Sequence, residues 1–207
     1  MKNIIIVFAT NLLLTLGTQA TFAEEHVFAP DEHCLAYKTE KVTFFFVDVE
    51  IIGKSCEVSA VIHWNASGEQ AQVEVSVPVT TFDSGNALRD GDIPEILKVE
   101  LTPNIRFISN WLNRADLQKM LESQKAEVFG NLDVAGGTFP VKFVLTFTSK
   151  SGYFLVEGRL LTSFAAFKVE VPSVVGGLIA EPKEFLELLV HLRSDKIPGT
   201  EKLTVQK

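Results

Sequence analysis

The sequence predicts an all-β protein, an antiparallel sandwich or barrel of about eight or nine strands. Three observations carry that prediction. Apolar residues recur with a period of two along most of the chain. Turn signals, among them Asn65-Ala66-Ser67-Gly68, Gly136-Gly137 and Ser149-Lys150-Ser151-Gly152, separate the alternating runs. Helical periodicity is confined to two short segments.

Residues 1–23 read as a secretory signal peptide. Met1 and Lys2 make a small basic start, Ile4 to Leu16 is an apolar run, and Thr21 and Ala23 are small residues before a cleavage point. The run is shorter than the roughly 20 apolar residues of a spanning helix, so no transmembrane segment is expected after signal removal. The mature protein would have 207 − 23 = 184 residues and a periplasmic or secreted location. Residues 24–197 are expected to form one β-domain and 198–207 a polar, frayed tail.

Cys34 and Cys56 are the two cysteines of the chain. In an oxidising compartment the pair predicts one disulfide closing a loop of about 23 residues, worth roughly 3 kcal/mol through loop-closure entropy. Two buried free thiols are the alternative. The four histidines do not fall at ligand spacing around the cysteines, so no metal site is expected. The formal charge of −7 becomes −8 without Lys2 and gives no basic stripe for phosphate, which argues against a nucleic-acid partner. Sixteen Phe against two Trp and two Tyr suit a greasy interior more than a polar recognition face.

Alternation then marks the strands in order. Val42, Phe44 and Phe46 belong to a run that is apolar on both faces, and Gly53-Lys54 reads as a hairpin turn after it. Val58 to Trp64 and Val73 to Val79 follow, with Pro78 predicting an edge or a bulge. The pattern is organised around Thr80–Ser109: a strand end, a polar elbow at Asp83-Ser84-Gly85-Asn86, an amphipathic segment from Arg89 to Val99 with its helix over Ile93–Val99, and a return strand with Ile105, Phe107 and Ser109. A second helix is predicted over Asp116–Lys125 behind a cap at Asn113. Val128 to Val134, Phe139 to Phe147, Phe154 to Leu160 and Leu186 to Leu192 complete the strands.

No catalytic constellation accompanies these strands. Ser84 has no histidine near it in sequence, and a hydroxyl without a base is inert. Asp90, Asp92 and Glu95 lack the glycine and terminal glutamate of a calcium loop, and read as a helix face with Arg89 pairing a local carboxylate. Asn65-Ala66-Ser67 matches a glycosylation acceptor, but turn chemistry explains it.

Two blocks carry a family resemblance. Val79–Ser109 and Gly130–Phe143 (GNLDVAGGTFPVKF) resemble the YceI-like family of lipocalin-like, polyisoprenoid-binding periplasmic proteins. The resemblance implies an antiparallel lipocalin-like β-barrel of about eight strands, with short helices capping one end, around a hydrophobic tunnel. It implies a non-catalytic carrier with no cofactor beyond a bound lipid, such as a polyisoprenoid or an isoprenoid quinone. A homodimer is compatible with it. The chain departs from the family at Gly91-Asp92, at Ala135, at Thr138-Phe139-Pro140 and at Thr162–Phe167, where polar groups are usual, and the cysteine pair lies outside the family pattern.

The residues expected to line the ligand are Phe44, Phe46, Phe107, Phe143, Leu145, Phe147, Phe154 and Val156. The alternative is a structural or stress-response protein with a filled core that acts through surface contacts and an exposed apolar patch, with no ligand.

Overall fold

Alternation is cleanest in the strand Lys125–Val134, where Ala126, Val128, Gly130, Leu132 and Val134 are buried between residues that face water. That pattern, repeated in neighbouring strands, folds one apolar face inward and curls the sheet around it. The computed structural model describes residues 27–43, 48–170 and 180–203. The expected signal segment 1–23 lies outside the described residues.

Ten strands are described: β1 Cys34–Thr43, β2 Asp48–Ser55, β3 Ser59–Trp64, β4 Gln70–Pro78, β5 Asn104–Ser109, β6 Leu112–Asn113, β7 Lys125–Val134, β8 Gly137–Lys150, β9 Tyr153–Ser163 and β10 Ala180–Arg193. Two helices, α1 Ala87–Ile96 and α2 Arg114–Ser123, interrupt them. Nine strands form one antiparallel sheet in the order β2-β1-β10-β9-β8-β7-β5-β4-β3, and β6 pairs β4. The sheet curls into a half-barrel. Its edges are not bare. Lys54 and Asp83 exchange both backbone hydrogen bonds, at 2.8 and 2.9 Å. Beyond the other edge, Ile62 N–H donates to the Pro198 carbonyl at 2.9 Å and the Trp64 indole N–H to the Gly199 carbonyl at 2.9 Å.

Several expectations are corrected here. Gly53-Lys54 is not a turn but the end of β2. Gly53 lies beneath the Tyr37 ring, and a Cβ there would sit 2.2 Å from Tyr37 Cε1. A glycine within a strand marks that close approach as readily as a turn. Pro78 is neither on an edge nor in a bulge. It ends β4, beyond the last β3–β4 pair at Ser59 and Ser76, so its missing N–H leaves no ladder bond to β3 unmade. The β7–β8 turn is Ala135-Gly136, with φ of 50° and 80°, one residue before the predicted pair. The segment after Ile197 is docked, not frayed, as far as Leu203, which packs beside Ile62, Leu117 and Leu192.

Both helices start earlier than their periodicity suggests. α1 begins where the Asn86 side chain accepts from the N–H groups of Leu88 and Arg89, and it tolerates Pro94 inside. In α2, Asn113 occupies the cap position without accepting a cap bond, and its amide donates to Asp116 Oδ2 at 3.2 Å. One irregularity shapes the wall. β10 carries extra residues opposite Thr39 and Lys41, and the Thr39 hydroxyl donates to the Phe185 carbonyl there at 2.7 Å.

Cys34 and Cys56 are disulfide-bonded, so the free-thiol alternative falls. The bond ties the first residue of β1 to the link between β2 and β3.

Candidate ligand-binding cavity

The inward rows of the sheet do not meet. Between them lies a cavity of about 1290 Å3. Compact ligands occupy pockets of about 300–1,000 Å3, so this space exceeds what a small compact molecule fills. The interlocked core required by the surface-acting alternative is therefore not what the structure contains.

The strand period determines which side chains reach the cavity. Phe107 of β5, Phe143, Leu145 and Phe147 of β8, and Phe154 and Val156 of β9 all lie on its wall. These are the described members of the predicted set. Phe44 and Phe46 lie outside the described residues. Phe107 and Phe143 pack edge to face, with ring centroids 5.4 Å apart. The bare backbone of Gly130 lies under the Phe107 ring, where a Cβ would come within 2.6 Å of it. Gly158 does the same on β9 for Leu145 and Val190. Two inward strand positions without side chains thus allow large residues to lie flat along the wall.

Three other parts of the wall escape the sequence pattern. β1 supplies Leu35, Tyr37 and Thr39. Their alternation is interrupted by Thr39, and only Leu35 with Tyr37 could have signalled it. From α1 come Leu88, Ile93 and Ile96. The short turn at Ala165–Phe167 brings in Phe164 and Phe167, both buried. Phe167 stands edge to face with Phe139, centroids 5.5 Å apart. These rings lie in the segments Thr138–Pro140 and Thr162–Phe167.

The elbow before α1 is a hydrogen-bonded knot. Ser84 N–H donates to both carboxylate oxygens of Asp90, at 3.1 Å each, and its hydroxyl donates to Asp90 as well. Arg89 donates from Nε to Ser84 Oγ at 2.7 Å and from Nη2 to the Ser84 carbonyl at 2.9 Å. Arg89 thus binds Ser84, where pairing with a local carboxylate was expected. Gly85, at φ 73°, makes the turn, and its N–H donates to Asp83 Oδ1 at 2.7 Å. The Ser84 hydroxyl is held between the Asp90 carboxylate, to which it donates, and the Arg89 guanidinium, from which it accepts. Beside the knot, burial pushes the Tyr37 phenol above its ordinary value, against the nearby Arg89 guanidinium. The knot fixes α1 against β1 and β2, and with it one side of the cavity mouth.

This geometry has a counterpart among known sequences. A family model of the YceI-like domain matches residues 34–182. The chain belongs to the YceI-like family. Among solved structures, this YceI-like chain is similar to BcnA of Burkholderia cenocepacia, with a TM-score of 0.58 and 17% identity over 77% of this chain and 95% of that one. It is also similar to a polyisoprenoid binding domain from Saccharophagus degradans implicated in plant cell wall breakdown, with a TM-score of 0.57 and 12% identity over 77% and 92% of the two chains. At such identities the likeness shows the fold. No curated protein matches the chain. No helix among the described residues is long and apolar enough to cross a membrane.

Proposed function

We propose that this YceI-like protein is a non-catalytic carrier that holds a polyisoprenoid, or a similar long apolar amphiphile, inside its half-barrel. The observation that carries the reading is the cavity itself: about 1290 Å3, walled mostly by Phe, Leu, Val and Ile side chains. A space of this kind recognises a chain by burial. At about 0.8 kcal/mol for each CH2-sized group removed from water, about ten such groups supply about 8 kcal/mol before the cost of ordering the chain.

Family membership supports the same reading, as does the Saccharophagus degradans neighbour, whose domain binds a polyisoprenoid. The disulfide and the apolar N-terminal stretch support a periplasmic or secreted setting, where such a bond forms and persists.

Displacement of a fluorescent lipid analogue tests the proposal. Val156 lies on the wall, opposite Phe147 in the β8–β9 register. Val156→Trp fills part of the cavity and is expected to weaken uptake by about tenfold while leaving the far-UV circular dichroism unchanged. Thr146→Trp, on the outer face of β8, is expected to change neither. Equal uptake by both variants and the unaltered protein would reject the cavity as the binding site.

A further inference from the structure

Exposed residues line the cavity in two places. At one end its wall includes Glu40 and Lys41 of β1 and Leu88, Arg89 and Asp92 of α1. Leu88 is 84% exposed although it lines the cavity, so the apolar wall continues out to the surface there. At the other end the same wall includes Ser149, Lys150 and Gly152 of the β8–β9 hairpin, with Asp195 and Lys196 of the turn after β10. All five of these are exposed. A blind pocket would be lined by buried side chains alone at one end. This one has water-facing residues in its lining at both, beside the buried Leu117 and Ile197 at the second.

The two places are far apart along the barrel. On β10 the wall runs from Leu186, beside the first, to Leu192, just before the turn that carries Asp195 and Lys196 beside the second. At about 3.3 Å per residue those six steps span about 20 Å. Between them the β10 wall is apolar, with Leu188, Val190 and Leu192 facing in.

We infer that the cavity is a channel open at both ends, so that the protein accepts prenyl chains of any length beyond the one that fills it. The inference rests on the lipid-binding reading and deepens it. In a closed pocket a chain longer than the pocket must fold back or leave apolar surface outside, and affinity falls with each added unit. In a channel the surplus emerges at the far end, where it neither gains burial nor clashes. Affinity therefore rises with length until the channel is full and then stays level. Discrimination by length belongs to the short end of the series alone.

Three prenyl alcohols of increasing length, farnesol, solanesol and undecaprenol, provide the test, each measured by displacement of a fluorescent lipid analogue. Solanesol and undecaprenol are expected to bind equally, within about twofold, and both more tightly than farnesol. Ser149 is exposed and lines the second opening. Ser149→Trp narrows that opening and is expected to weaken undecaprenol by about tenfold while leaving farnesol unchanged. Thr148→Trp, on the opposite face of β8, is expected to leave all three unchanged. A marked loss of affinity from solanesol to undecaprenol in the unaltered protein, or undecaprenol binding indifferent to Ser149→Trp, would overturn the channel and leave the carrier standing. Failure of all three alcohols to bind the unaltered protein would remove the carrier reading, and the channel with it.

Discussion

The Phe107 ring reaches Phe143 across the strand between them, and it does so over Gly130. β7 separates β5 from β8, and Gly130 is the one inward position of β7 without a side chain. A Cβ at 130 would lie 2.6 Å from the Phe107 ring and 2.3 Å from the Ile108 carbonyl oxygen. Backbone cannot yield there as a flexible side chain would. Gly130→Ala is therefore expected to destabilise the protein by about 1–3 kcal/mol, read as a lower midpoint in urea. An unchanged midpoint would show that the wall is looser than these contacts require.

The disulfide carries a second expectation. Cys34 is fully buried at the start of β1, and Cys56 is exposed beside the β2 edge, 22 residues later. Ser55, next to it, shares a hydrogen bond with Thr81 at 2.6 Å, close to where Lys54 bridges to Asp83. Removing the covalent tie frees the unfolded chain and loosens this closure together. Cys34→Ser with Cys56→Ser is expected to cost roughly 3 kcal/mol. Comparing the double variant with the oxidised protein by denaturant unfolding checks it, and equal stabilities would contradict it.

Much of this architecture was legible in the sequence, and its failures have physical causes. The inward rows of β7, β8 and β9 follow from alternation between a cavity face and a mostly water-facing one, and that of β10 from alternation with Glu187 and His191, which are polar yet buried. β2 was hidden by Gly53, which serves Tyr37 and looks like a turn. The start of α1 was hidden by Gly91 and Pro94, poor helix formers that Asn86 and the Ser84–Asp90 knot offset. The walls contributed by Ile93 and Phe164 could not be read from local pattern, since they arise from how α1 and the turn at Ala165–Phe167 fold against the strands. That the inward rings leave a space is likewise a property of curvature, which no single strand encodes.

Acid stability supplies a third expectation. His33 is buried, and its Nδ1 accepts the Arg193 backbone N–H at 3.0 Å. Burial holds its pKa below the ordinary 6.5, helped by the nearby Lys196 and Arg193 charges and opposed by Asp195. The unfolded chain therefore takes up a proton near 6.5 while the folded protein still refuses it. The contribution of His33 is complete above that value and is lost as pH falls below it. The urea midpoint is expected to drop between about pH 7 and about pH 5, the range in which histidines titrate. His33→Gln, which keeps an acceptor for Arg193 but cannot titrate, is expected to flatten that drop. Glu74 acts lower. The Arg106 guanidinium, 2.6 Å away, holds its carboxyl below the ordinary 4.5, so its contribution is lost only as pH falls beneath that value. A midpoint that stays flat down to about pH 5 would contradict the assignment to His33.

The central claim is that the half-barrel is hollow because it holds a long apolar chain. Native mass spectrometry of the mature protein, purified from its own host without detergent, tests it most directly. The expected spectrum has a dominant species heavier than the polypeptide by the mass of one lipid, which organic extraction recovers as a prenyl chain or a comparable amphiphile. A spectrum showing the bare polypeptide mass, with no extractable lipid and no uptake when the protein is offered a prenyl alcohol, would contradict it.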